Sequence, residues 1–262
     1  MPSVEENLVV WDQSYDWPQG GDEWSAGWGG SEAKWFGTIF PRVHRFLPAS
    51  TILEIAPGFG RWTRYLKDLC ESLVLVDLSA KCIEACKERF AASSHIAYHV
   101  NDGRSLDMIA DESIDFVFSF DSLVHAESDV LEVYLKQIGK KLRSNGAGFI
   151  HHSNLGMYAE LVARAKEAAP EAQSDIIGLQ SWRAESMTAE LFREYCEQAD
   201  LKCMSQELIN WFNKCLVDCF SMFARKDSNH PSRGIVENPR FMDEVNLIKT
   251  LAPFYTSNRK SD

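Results

Sequence analysis

The sequence has no run of about 18 apolar residues, so no helix able to cross a bilayer is expected. Its start, Met1 to Val10, shows no basic segment followed by an apolar one, and no secretory signal is expected. Positive charge is short: 27 Lys and Arg stand against 38 Asp and Glu, a formal net charge of -11. Phosphate binding needs a basic surface, so this balance argues against nucleic acid and against an anionic membrane as partners. No Cys-x-x-Cys pair occurs among the seven cysteines. Cys82 and Cys86 share one face of a predicted helix, and Cys215 and Cys219 one face of a predicted strand. They read as small apolar thiols in a reducing, cytoplasmic compartment, and their spacing does not suit zinc. Gly-Lys-Ser/Thr, internal repeats and low-complexity tracts are also missing.

What is present falls into three stretches of one chain, with no clean boundary between them. Residues 1–50 hold five of the eight tryptophans (Trp11, Trp17, Trp24, Trp28, Trp35) among glycines and Pro18. That mixture predicts no long regular element before Ser31, then a helix from Ser31 to about Phe46 with Ser31 as N-cap. Residues 51–226 alternate short apolar strands with amphipathic helices. Strands are predicted at 51–56, 73–76, 96–100, 115–120 and 147–151. Helices are predicted at 61–69, 80–90 and 130–142, the last ended by Asn145-Gly146. Such alternation gives a parallel sheet with helices on both faces. A helix follows at 157–168, ended by Pro170, and another capped by Thr188. Two strand-like runs, 203–211 and 216–224, are too close for a parallel crossover and must form an antiparallel hairpin. Residues 227–262 read as a polar tail with a short helix near 242–251. The expected fold is α/β: a doubly wound, mostly parallel, seven-stranded sheet closed by a C-terminal antiparallel hairpin.

The most informative stretch is Thr51-Ile-Leu-Glu-Ile-Ala-Pro-Gly-Phe-Gly60, a buried strand entering a glycine turn and then a helix. Glycine lets backbone pass close under a ligand. A dinucleotide fingerprint would need a third glycine where Thr63 stands. Glu54 precedes the glycines, Asp77 ends the second strand, and Asn101-Asp102-Gly103 ends the third. Ligands bind at the carboxyl ends of strands in such sheets, and a carboxylate there can accept both bonds of a ribose diol. Three acidic positions suit a ligand with an amine, a ribose and a cationic centre, and suit a pyrophosphate badly.

The order Glu-x-x-x-Gly-x-Gly, Val-Asp, Asn-Asp-Gly, Asp-Phe-Val-Phe-Ser-Phe-Asp, with Leu-Arg-Ser-Asn-Gly-Ala-Gly-Phe and the closing hairpin, resembles the class I S-adenosylmethionine-dependent methyltransferase family from Thr51 to Ala224. Ala56 stands where the family usually has its first glycine. The resemblance implies S-adenosylmethionine as cofactor. It places Glu54 by the amine, Ala56, Gly58 and Gly60 under the methionine part, and Asp77 with Leu78 at the ribose. It further places Asp102 with Gly103 at the adenine edge and Phe120 beside the methyl donor.

Methyl transfer mainly requires acceptor, methyl and sulfur in line, but an alcohol gains from a general base, most often His. His125, just past the fourth strand, and one of His151 and His152 are candidates, and His152, nearer the strand end, is preferred. Asp121 would orient a His or touch the methionine end. Asp121, His125 and His152 could alternatively hold a divalent ion, but clustered Asp residues are lacking and no metal is assigned. Trp24 and Trp28 in the aromatic start, with Trp182 and Arg183 from the other side, are expected to contact the substrate. Arg183 suits a phosphate or carboxylate, and equally a surface salt bridge. The expected activity is methylation of a small-molecule hydroxyl, a sugar or natural-product intermediate. Methylation of an amine and a non-catalytic S-adenosylmethionine-binding regulator are the alternatives. The aromatic start could also pack on a second copy of the chain, giving an oligomer.

Overall fold

The computed structural model describes residues 3–167, 182–212 and 214–257. Eight strands form one sheet in the order β3-β2-β1-β4-β5-β7-β6-β8. β1 (Ala49–Ile55), β2 (Cys70–Asp77), β3 (Ile96–Val100), β4 (Ile114–Ser119) and β5 (Leu142–Ser153) run parallel. β6 (Leu201–Ile209) and β7 (Asp218–Arg225) form the antiparallel hairpin, with β7 against β5. The strand order reverses between β1 and β4, and their carboxyl ends open a crevice there.

Helical segments cover both faces. The first face carries the stretch from α2 (Ser31–Lys34) through α3 (Phe40–Val43), with α4 (Thr63–Leu66) and α5 (Ala80–Arg89). Its core joins Trp35, Trp62, Phe116, Phe118 and Phe149. The opposite face carries α6 (Ser128–Lys141), whose Leu131, Leu135 and Ile138 share a second core with Phe192 and Phe223. After α7 (Ala159–Glu167) comes α8 (Ala189–Gln198), capped by Thr188, whose Oγ1 accepts from the Leu191 amide. The last helix is α9 (Phe241–Tyr255).

Several features depart from the sequence expectation. A short helix, α1 (Val4–Leu8), continues as a π-helical turn through Ser14, where no such element was expected; a Ser3–Glu6 capping box starts it. Gly30, not Ser31, is the N-cap of the stretch running to Phe46, which passes through a π-helical turn at Trp35–Ile39. α6 ends at Lys141, and Asn145-Gly146 lie instead in an irregularity of β5 opposite β4. The tail supplies an eighth strand, β8 (Gly234–Asn238), parallel to β6 at the sheet edge. Its residues are mostly exposed, so no apolar alternation marks it. The expected stop at Pro170 lies outside the described residues.

Gly139 fixes how closely α6 and α8 approach: a Cβ there would stand 2.0 Å from the Ala199 carbonyl oxygen. Intrinsic helix propensity favours alanine over glycine by about 1 kcal/mol. Overpacking against backbone works the other way, so Gly139→Ala is predicted to lose about 2–3 kcal/mol in urea unfolding. An increase in stability would show that the two helices are free to part.

Candidate active site

The crevice at the β1/β4 reversal is a cleft of about 760 Å³. Its floor is the turn after β1. Ala56 there has φ 56° and Gly58 φ 57°. For a residue with a side chain the left-handed region costs roughly 1–2 kcal/mol, which is why glycine is the more usual occupant. Ala56 is held by its N–H to Val76 O (2.7 Å) and by its carbonyl, which accepts from Ser122 Oγ (2.7 Å). Asp77 closes one side. Its two oxygens accept from the Gly58 and Ser79 amides at 3.0 and 2.8 Å. Burial nevertheless pushes its carboxyl up to about 6. Leu78, Gly103 and Phe120 complete this part of the wall.

The aromatic arm lies across the cleft mouth. Asp12 accepts from Ser79 Oγ (2.6 Å) and the Lys81 amide (3.1 Å), and Asn7 Nδ2 donates to the His125 carbonyl (3.0 Å). Trp17 stacks on Phe59 at 4.6 Å, directly over the glycine turn. Trp11 sits at the centre, within about 6 Å of Tyr15, Trp17, Trp24, His125 and Trp182. Trp24 and Trp182 are both about half exposed and line the cleft.

At the other end of the cleft lies a buried charge network. Asp121, in the left-handed region at φ 63°, accepts from Lys34 Nζ at 2.5 Å and Arg61 Nη2 at 2.8 Å. Its backbone N–H donates to His151 Nδ1 (3.3 Å), and His151 Nε2 stands 3.2 Å from Asp218. Arg183 grips Asp218 with two bonds of 2.6 and 2.7 Å. Burial would raise the Asp121 carboxyl, but Lys34 and Arg61 outweigh it and hold it far below the usual range. Burial likewise lowers Lys34 to about 7, with Asp121 opposing and Arg61 adding. Lys34 is fully buried, 4.0 Å from the Trp28 ring centre.

The expected site residues are brought together only in part. Ala56, Gly58, Asp77, Leu78, Gly103, Phe120, Asp121, His125, Trp24, Trp182 and Arg183 line the cleft. Glu54 does not: it lies within the sheet, accepts from Thr63 Oγ1 at 2.6 Å, and burial pushes it up to about 8, so it is protonated at neutral pH. Gly60 turns its back to Phe90, which a Cβ would meet at 2.4 Å. Asp102 is exposed and accepts from the Arg104 and Ser105 amides, shaping the turn that presents Gly103. Trp28 is core, its Nε1 donating to Thr38. The histidine parity is the reverse of the preference: His152 faces away, stacked on Phe192 at 4.4 Å and bonded to Ser221. His151 faces the cleft side, against Phe120. Lys34, Arg61 and Asp218 were not foreseen.

Residues 52–146 match the family model described as a methyltransferase domain. No curated protein matches the chain. Solved structures share the fold at low identity. A Pyrococcus horikoshii OT3 protein aligns at TM-score 0.53 and 20% identity over 72% of this chain and 88% of its own. An S-adenosylmethionine-dependent methyltransferase from Methanosarcina mazei aligns at 0.54 and 14% identity, over 71% and 98%. Another from Clostridium acetobutylicum aligns at 0.54 and 13%, over 77% and 92%.

The network predicts acid behaviour. Arg183 and His151 outweigh burial and hold Asp218 at about 2, against an ordinary 3.8. A carboxyl depressed in the folded state stabilises above its unfolded value and loses that contribution as pH falls through the folded one. Stability should therefore fall between about pH 4 and 2, and Asp218→Asn should shallow that slope by about 1.4 kcal/mol per pH unit. Parallel slopes in urea titrations would contradict the pairing. Residues 52–146 thus match a methyltransferase domain, and they lie on a sheet whose fold those solved structures share.

Proposed function

We propose that the chain methylates a hydroxyl of a small-molecule acceptor, a sugar or natural-product intermediate, with His125 as the proton acceptor. The cleft fits the cofactor: a carboxylate at the end of β2 retains lone pairs for a ribose diol beyond its two backbone bonds. Asp77 would take the ribose hydroxyls, Ala56 and Gly58 would pass under the methionine part, and Leu78 with Gly103 would border the adenine. Phe120 would lie beside the methyl. When bound, S-adenosylmethionine supplies an electrophilic methyl on a sulfonium. The residues then hold the acceptor in line and exclude water, the arm acting as a lid.

The observation that carries the hydroxyl assignment is the setting of His125. It lines the cleft beneath Trp11, and its Nδ1 meets the Trp182 carbonyl. A carbonyl can only accept, so Nδ1 carries the hydrogen and Nε2 keeps its lone pair. Burial lowers the imidazole to about 4, against the Trp182 carbonyl, so it is neutral at physiological pH. The aromatic walls suit the CH face of a sugar or another flat ligand.

His125→Ala is expected to keep S-adenosylhomocysteine affinity while kcat falls by about 10²–10⁴-fold. Wild-type kcat should stay level from pH 8 to 6 and fall only as pH approaches about 4, where His125 takes up its proton. An unchanged kcat in His125→Ala would favour an amine acceptor, which needs no such base.

A further inference from the structure

We infer that the acceptor carries an anionic group of the carboxylate type, seated against Arg61 and the indole N–H of Trp62 on the cleft wall beside Asp121. This deepens the methyltransferase reading and rests on it. Two carboxylates occur among the described cleft-lining residues, Asp77 and Asp121. Asp77 belongs to the opposite end, at the close of β2. Asp121 already shares its Oδ2 between Lys34 and Arg61.

The donors are in the reverse condition. Arg61 lines the cleft, and two of its five N–H groups have partners, Asp121 at 2.8 Å and Ser25 at 3.3 Å. Its guanidinium carbon stands 4.4 Å from the centre of the Trp62 ring. Trp62 also lines the cleft, is 2% exposed, and its Nε1 has no hydrogen-bond partner among the described residues. A buried donor without an acceptor is costly, and a ligand oxyanion would satisfy it.

Charge points the same way. Three cations, Lys34, Arg61 and Arg183, crowd two carboxylates, Asp121 and Asp218. Glu23 on the arm and Glu54 in the sheet also act on Arg61; Glu23 Oε1 accepts from Tyr15, Glu54 accepts from Thr63, and neither lines the cleft. Burial is the main cause that lowers Lys34, with Asp121 opposing it and Arg61 and Arg183 adding to it. An anion at Arg61 relieves the crowding of cations, whereas a cationic acceptor adds to it.

The test uses the full chain saturated with S-adenosylhomocysteine, titrated with benzoate and with its neutral counterpart benzamide. Benzoate should bind at least about tenfold more tightly, the scale of one charge-assisted bond. Arg61→Gln should abolish that preference. Trp62→Phe, which keeps the ring and removes the N–H, should weaken benzoate several-fold and leave benzamide unchanged, and serves if Arg61→Gln fails to fold. Equal affinity for both probes, or no binding of either, overturns the inference while the cofactor reading stands. Failure of the first step, the loading with S-adenosylhomocysteine, overturns both.

Discussion

Asp121 is the point at which distant parts of the chain meet. Lys34 reaches it from the helical stretch after the arm, Arg61 from the turn after β1, and His151 from the end of β5. Through His151 the contact extends to Asp218 at the start of β7, and from there to Arg183. A side chain in the left-handed region costs of order 1–3 kcal/mol and persists where the surroundings over-determine it. Asp121 is such a place, because its cations are themselves walled in by Trp28, Trp62 and Phe120. Loss of one partner from a buried pair costs about 3–5 kcal/mol, since the other charge is left unpaired. The polarity of this end of the cleft is set by buried, mutually paired groups.

The Asp77 end is built differently. Its bonds are made by backbone N–H groups to Asp77 and by the arm, whose Asp12 bonds Ser79 and Lys81 just beyond that strand. The arm contributes aromatic faces and is anchored through Asn7, Asp12, the Lys81–Tyr15 contact, and Arg64 and Arg89 on Asp22. The two ends thus differ in kind: an aromatic arm crosses one, and a buried charge network walls the other.

The central strands were legible because β1, β2 and β4 are buried on both faces and read as apolar runs. β8 was not, because an exposed edge strand carries no apolar alternation. Period two puts His151 and His152 on opposite faces but does not say which helices cover which face, so the preference for His152 missed. Asp77 lies in a strand flanked on both sides, while Asp102 follows β3, the sheet edge, and its carboxylate turns to its own loop. Lys34 and Asp121 are 87 residues apart in sequence, and no local pattern marks a lysine as inward-facing. Trp24 and Trp28 were both expected at the cleft, yet Trp28 lies in the core, with its N–H donating to Thr38.

The account stands most directly on the cleft holding its cofactor through Asp77. Calorimetric titration of wild type and Asp77→Asn with S-adenosylhomocysteine, repeated from pH 5 to 8, tests this. Burial raises the Asp77 carboxyl to about 6. Acceptance of two ribose hydroxyls favours the ionised form, so wild-type affinity should weaken as pH falls below about 6. Asp77→Asn should bind about 10–100-fold more weakly and without that dependence. Equal affinity of the two proteins across the range, or no binding by wild type, would contradict the account.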